Sequence, residues 1–171
     1  MSDKVIIVDN VYSDDEIVDI ENYMKQHAKW EYNQASDDDH LETVFWKSDF
    51  PDKKMVKRII RDFVFYSEID IEAKPDRIYL NGQTYGLDGG YHTDVQEDDE
   101  DAHTLLYMVN SKDVDDIGDF QYIDPSSQEV ETVKFVSGRF VLFPSKWLHR
   151  GLAPKTKNQL RITLAYKALK V

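Results

Sequence analysis

Apolar positions recur at helical spacing twice in the first half of the chain and then give way to short alternating runs. Ile17, Ile20, Tyr23, Met24 and His27 lie three or four residues apart, the spacing of one face of a helix. Ser13-Asp14-Asp15-Glu16 stands just before them and reads as a capping box with acidic groups in the first turn. The pattern predicts a helix over 14–28, preceded by a short strand at Lys4–Val8, with His27 on the helix face or at its C-terminus rather than acting as a ligand. Met55, Ile59, Ile60, Phe63 and Val64 make a second stripe, in a helix expected to begin near Pro51, whose fixed φ suits a first turn. Between the two, Glu31–Glu42 with its Asp37-Asp38-Asp39 run is polar and turn-rich, and is expected to be a surface loop.

From Asp76 onward the period shortens. Arg77–Leu80, Gly90–Asp94, Thr104–Asn110, Asp119–Ile123, Thr132–Val136, Arg139–Phe143 and Gln159–Lys167 are short runs rich in β-branched and aromatic residues. Asn81-Gly82, Asp88-Gly89-Gly90, Asp124-Pro125, Ser137-Gly138 and Pro144-Ser145 punctuate them as turns. Two helices thus feed an antiparallel β body, a sandwich or barrel, and the helices' apolar faces are expected to cover one sheet.

Composition narrows the function classes. The 171 residues suit one domain, and no repeat or Pro/Gly/Ser-rich linker divides them. Acidic residues outnumber basic ones 33 to 21, for a net charge of −12, which argues against naked nucleic acid as a partner because phosphate binding needs clustered Lys and Arg. Cysteine is absent, so disulfide frameworks, thiolate zinc sites and Cys nucleophiles are excluded. The N-terminal MSDKVIIVDN has no apolar signal-peptide core. The longest apolar stretches, Val5–Val8 and Leu105–Val109, fall far short of the ~20 residues of a membrane helix. A cytoplasmic protein without a membrane partner is the expectation.

The residues suited to chemistry lie in the second half. In His92-Thr93-Asp94, read as part of a strand, positions i and i+2 place an imidazole and a carboxylate on one face. His149 follows an alternating strand and a turn, in Phe143-Pro144-Ser145-Lys146-Trp147-Leu148-His149-Arg150-Gly151. Two His and one carboxylate make a facial three-ligand set suited to non-haem Fe(II), although zinc accepts the same donors. In Arg161-Ile162-Thr163 the guanidinium and hydroxyl share a face opposite Leu160, Ile162 and Leu164. An inward Arg and Thr call for an anion, which a small dicarboxylate would supply. The alternative is an edge-strand Arg reaching solvent.

Taken in order, these pieces resemble the 2-oxoglutarate- and Fe(II)-dependent dioxygenases, most closely the prolyl 4-hydroxylase-like branch. The resemblance runs over residues 76–168. It rests on Tyr79-Leu80-Asn81-Gly82-Gln83-Thr84-Tyr85, His92-Thr93-Asp94, Thr104-Leu105-Leu106-Tyr107 with Asn110, and Gly118-Asp119-Phe120. It continues through Gly138-Arg139-Phe140-Val141-Leu142-Phe143-Pro144, His149-Arg150-Gly151 and Arg161-Ile162-Thr163. It implies a double-stranded β-helix (a jelly-roll, cupin-like fold) of about 76–171, buttressed by helical support over about 1–75. It also implies Fe(II) held by His92, Asp94 and His149, with 2-oxoglutarate as cosubstrate and O2 as oxidant. Arg161 would bind the far carboxylate, assisted by Thr163 and by a phenol from Tyr79 or Tyr85, and ascorbate binding is a further expectation. The products would be succinate, CO2 and a hydroxylated peptide, protein residue or free amino acid. The chain departs from the pattern in having Arg161 where collagen-type prolyl hydroxylases use Lys, Gly118-Asp119 where Gly-Gly is commoner, and Met108 where relatives often carry an aromatic.

Two other readings compete: a nucleic-acid demethylase of the same superfamily, which the acidic charge disfavours, and a non-catalytic cupin-like metal-binding module, which would not need Arg161 and Thr163. Of the remaining residues, His103 and His40 are expected to be solvated loop histidines, Trp147 to pack or line a groove, and Arg150 to support its loop. Glu97-Asp98-Asp99-Glu100-Asp101 follows Asp94 directly and is expected near the mouth of the site, where it would favour a neutral or basic substrate.

Overall fold

The computed structural model describes residues 4–35, 44–49, 52–94, 102–111 and 116–170. The first helix, α1, spans Asp14–His27. Its capping box is formed: the Ser13 side chain accepts from the Glu16 amide and the Glu16 carboxylate from the Ser13 amide, so two otherwise unpaired N–H groups are satisfied. The second, α2, spans Lys53–Ser67 and is capped by Asp52, whose carboxylate accepts from the amides of Lys54 and Met55. It stops at Glu68 in the left-handed conformation. Neither described helix is long and apolar enough to cross a membrane.

The strands are β1 (Ile6–Val8), β2 (Glu31–Gln34), β3 (Phe45–Asp49), β4 (Ile71–Thr84), β5 (Ala102–Met108), β6 (Phe120–Ile123), β7 (Val130–Val133), β8 (Phe140–Pro144), β9 (His149–Gly151) and β10 (Leu160–Lys170). They make a seven-stranded sheet in the order β1-β8-β5-β10-β4-β3-β2 and a three-stranded sheet in the order β7-β6-β9. All the strand pairs are antiparallel.

One face of the large sheet packs on the helices. Ile17, Ile20 and Met24 of α1 and Val56, Ile59 and Phe63 of α2 meet Leu80, Leu105, Phe140, Ile162 and Leu164 in one apolar cluster. On the other face Leu106, Met108, Val141 and Phe143 meet Phe120 and Val133 of the small sheet. The result is a jelly-roll double-stranded β-helix with helical support, the fold that the resemblance implies.

The differences are local. Glu31–Gln34 is a strand rather than loop, and Phe45–Asp49 joins it, so the N-terminal region adds strands to the large sheet as well as helices. These two strands lie at one end of that sheet, and the polar β2 is its edge strand, bonded on one side only, where little apolar sequence is needed. Asn81-Gly82 is not a turn but part of β4, which runs far longer than predicted. Gly82 is there because space is short: a Cβ would lie 3.0 Å from Trp30 and 3.1 Å from Leu160 and Trp46. Gly90–Asp94 forms only a single bridge, at His92. Pro51, Asp37-Asp38-Asp39, His40 and Glu97–Asp101 lie outside the described residues.

Candidate functional site

β10 is a central strand, hydrogen-bonded to β4 on one side and β5 on the other, so Arg161 is not an edge residue reaching solvent. Ile162 and Leu164 go to the helix-side core, while Arg161, Thr163 and Ala165 line a cavity of about 480 Å3. Register places Gln83 beside Arg161, Asn81 beside Thr163 and Tyr79 beside Ala165, and these β4 residues line the same cavity. Strand alternation on neighbouring strands thus builds a polar wall.

His92, Asp94 and His149 line the cavity as well, with their donor atoms within 4.8 Å of one another. His92 and His149 exchange both main-chain hydrogen bonds, N to O at 3.0 and 2.9 Å. Directly opposed residues of an antiparallel bridge project to one side, and the two rings stand 4.4 Å apart, centroid to centroid. The bridge brings the two imidazoles together, while Asp94, two residues beyond His92, is placed by its own main-chain bond to Ser145. Nδ1 of His92 lies 3.0 Å from the Gly90 carbonyl, and Nδ1 of His149 lies 2.8 Å from the Trp147 carbonyl. A carbonyl only accepts, so each Nδ1 carries the proton and each Nε2 offers its lone pair.

Asp94 is set by both its main chain and its carboxylate. Its amide donates to the Ser145 carbonyl at 2.8 Å. Thr104 Oγ1 donates to Asp94 Oδ2 at 2.6 Å and lies 2.9 Å from Ser145 Oγ. The carboxylate can only accept, so the chain of hydroxyls runs Ser145 to Thr104 to Asp94. Asp94 Oδ1 is 3.8 Å from His92 Nε2, and Asp94 Oδ2 is 3.5 Å from His149 Nε2. Burial works to raise the Asp94 pKa, but His149, the Thr104 hydroxyl and His92 outweigh it and hold the carboxyl below its ordinary value. Burial takes the His149 imidazole down to about 4 against the pull of Asp94. Two neutral imidazoles and a carboxylate are the protonation states in which these groups ligate a metal.

Arg161 is 2% exposed. Nε donates to the Gly118 carbonyl at 2.9 Å and Nη1 to Gln83 Oε1 at 2.7 Å, both neutral acceptors. Among the described residues no carboxylate forms an ion pair with it, and burial lowers its pKa to about 10 despite the opposing field of Asp119. Gly118 sits at φ +102°, and a Cβ there would come 2.2 Å from the Leu152 carbonyl, so only glycine delivers that carbonyl to the guanidinium. Asp119 turns away to Lys134 Nζ at 2.7 Å.

Of the two candidate phenols, Tyr79 lines the cavity, with Lys47 Nζ 5.2 Å from its ring centre. Tyr85 is 49% exposed, in the turn after β4, and is not among the residues lining the cavity. His103 is a buried residue of β5 rather than a solvated loop histidine, because the strand begins earlier than the apolar run suggests. Trp147 is buried and stacks on Tyr122. Arg150 lies in β9 rather than a loop; it donates to Gln121 Oε1 of β6 and lies over Tyr91. Met108 is wholly buried between the sheets. Gln83, Thr104 and Ser145 were not singled out by sequence. For Gln83 the signal was present, since it shares strand parity with Tyr79, but the Asn81-Gly82 turn reading cut that strand short.

No protein-family model and no curated protein sequence matches the chain. Solved structures do. A Trichoplax adhaerens prolyl hydroxylase in complex with a hypoxia inducible factor oxygen degradation domain peptide fragment is 15% identical, with TM-score 0.67 over 99% of this chain and 84% of that one. A Pseudomonas putida prolyl-4-hydroxylase is 14% identical, with TM-score 0.67 over 99% and 94%. HygX from Streptomyces hygroscopicus with nickel, 2-oxoglutarate and hygromycin B bound is 10% identical, with TM-score 0.69 over 98% and 83%. At these identities the likeness is one of fold.

Proposed function

We propose that the chain is an Fe(II)- and 2-oxoglutarate-dependent dioxygenase of the prolyl 4-hydroxylase-like kind. In this reading it hydroxylates a peptide or protein residue, or a free amino acid, and releases succinate and CO2. The observation that carries the reading is Arg161, a buried cation hydrogen-bonded among the described residues to neutral acceptors alone, facing the cavity that also holds the His92, Asp94 and His149 donors. An uncompensated buried guanidinium is costly, and an anionic ligand beside the metal donors gives it a counter-charge. A purely structural metal site would leave that cost unanswered.

The donor set fits Fe(II): two imidazoles with free Nε2 lone pairs and one ionised carboxylate, leaving open positions. When bound, iron with the 2-oxo acid and O2 supplies oxidation of an unactivated C–H bond. The chain's own residues do the rest. Arg161 and Thr163 would hold the far carboxylate, with the phenol of Tyr79, which lines the same cavity, assisting. Phe120 and Leu106 keep the cavity wall beside the metal donors apolar, which excludes water and strengthens the charge interactions within. Gln34, Ala35, Phe45, Lys47 and Asp49, from the β2 and β3 side, line the part of the cavity where substrate would enter. One structural neighbour is in complex with a peptide fragment and another has hygromycin B bound, which supports a peptide or a small molecule as the class of substrate. The net charge of −12 favours a neutral or basic substrate.

The test is anaerobic addition of Fe(II) and 2-oxoglutarate, followed by the visible charge-transfer absorption of the chelate and then by succinate release in air. Wild type is expected to show both; Asp94→Ala and Arg161→Ala should lose the absorption. A wild type without it, or variants that keep it unaltered, would overturn the reading.

A further inference from the structure

We propose that Gln83 is the positioning residue of the anion site: its amide fastens the Arg161 guanidinium to the strand that carries His149 while leaving the cation's charge uncompensated. This deepens the functional reading above and rests on it where cosubstrate is concerned.

Gln83 is 5% exposed and pairs in register with Arg161. Its Oε1 accepts from Arg161 Nη1 at 2.7 Å, and its Nε2 donates to the Gly151 carbonyl at 2.8 Å. A guanidinium only donates and a carbonyl only accepts, so both partners demand the same orientation of the amide. One side chain therefore ties β4, β10 and β9 together, and β9 begins with His149. The junction has no slack. A Cβ at Gly151 would lie 2.6 Å from Gln83 Oε1 and 2.8 Å from Arg161 Nη1. The Gly151 carbonyl also accepts from the Gly89 amide at 2.8 Å, which fixes the acceptor independently of Gln83.

The chemistry of glutamine is what the site requires. A glutamate here would give Arg161 an internal counter-ion and would lose the donor to Gly151. A hydrocarbon would leave the guanidinium without its Nη1 acceptor and free to rotate about Nε–Cζ, with Nε alone still bonded to the Gly118 carbonyl. The neutral amide orients the cation without satisfying its charge, so the charge remains for a ligand.

Two measurements separate this proposal from the functional reading. In the ligand-free protein loaded with diamagnetic Zn(II), NMR of the Arg161 guanidinium is expected to show distinct Nη1 and Nη2 signals in wild type, because rotation about Nε–Cζ is blocked. Gln83→Met, which keeps the volume and removes both hydrogen bonds, should merge them. In the second measurement 2-oxoglutarate is titrated anaerobically into the Fe(II) protein. Gln83→Met should weaken binding about tenfold, the loss of one hydrogen bond to a charged group, raising KM while kcat at saturation is retained. Gln83→Glu should weaken it by about a hundredfold or more, because a paired charge is neutralised. Ni(II) affinity without cosubstrate should stay at the wild-type value in both variants. Merged signals in wild type, or separate signals that persist in Gln83→Met, would overturn the proposal. So would wild-type 2-oxoglutarate affinity in both variants, or a parallel loss of Ni(II) affinity. A wild type that binds no 2-oxoglutarate would sink the functional reading, while the NMR comparison would still decide whether Gln83 fastens Arg161.

Discussion

The two faces of β10 are equally buried and energetically opposite. Ile162, Leu164 and Tyr166 enter the helix-side core with Phe63, Ile59 and Ile20, where each Å2 of apolar surface removed from water contributes about 25 cal/mol. Arg161, on the other face, is a cation removed from water without a charged partner among the described residues, an arrangement that costs several kcal/mol. The same strand therefore gains stability on one side and gives some of it back on the other. Burial alone does not reveal which face stabilises; the chemistry of the buried atoms does.

The comparison is broken most forcefully from the helix side. Phe63 is wholly buried, and Phe63→Ala should destabilise the protein by about 3–5 kcal/mol through lost transfer energy and a cavity. Denaturant titration reads the loss, and Ni(II) affinity per folded molecule should stay unchanged. A matching fall in metal affinity would show that the two faces are not independent.

On the cavity side the balance of effects should reverse. Thr104→Val keeps the shape of the side chain and removes the donor to Asp94 Oδ2. Metal affinity is expected to fall roughly 10–100-fold, as for other residues that orient a metal-ligating carboxylate, while folding stability falls by about 1.5–3 kcal/mol, less than for Phe63→Ala. Isothermal titration with Ni(II) beside thermal melting separates the two. A stability loss without a change in affinity would move Thr104 to the structural face.

The smallest effect belongs to neither face. Asp9 accepts from Arg139 Nε and Nη2, both at 2.7 Å, near the β1 edge of the sheet. The Arg139 hydrogen bonds hold the Asp9 carboxyl below its ordinary value of 3.8. Its folded pKa lies below its unfolded one, so the stability it contributes is fully present above the unfolded value and drains away as pH falls through the folded one. Asp9→Asn should cost at most about 1 kcal/mol at neutral pH, as a part-exposed ion pair, and nothing well below pH 3.8. Denaturation at several pH values would show the two proteins converging in acid; a constant gap would assign the effect to packing.

The pattern of the chain made the helix-side face legible, because Ile17-Ile20-Met24, Ile59-Phe63 and the even positions of β10 repeat with the period of their elements. The convergence of His92, Asp94 and His149 and the inward placing of Arg161 and Thr163 were legible too, since each is a rare residue type at strand spacing in an ordered series. What escaped depends on register between distant strands. Gln83 meets Arg161 and Gly151 only once β4, β10 and β9 are aligned, and Thr104 meets Ser145 and Asp94 only across β5 and β8. Edge strands escaped as well: Glu31–Gln34 reads as loop because a strand bonded on one side tolerates polar sequence. A glycine misled in the opposite sense, since Gly82 marks a close approach of Trp30 and Trp46 rather than a turn.

The main-chain anchors of the two imidazoles set a limit on how mutations can damage the centre. The groups that orient His92 and His149 are the carbonyls of Gly90 and Trp147, which every amino acid possesses. No substitution at those two positions can delete the acceptor itself; only a change in the path of the chain can. The tautomer of each ring is thereby protected against sequence drift, whereas the Asp94 carboxylate and the Nη1 end of Arg161 are held by the side chains of Thr104 and Gln83, and those bonds can be lost in a single step. The centre is tolerant at its histidines' supports and brittle at its charges.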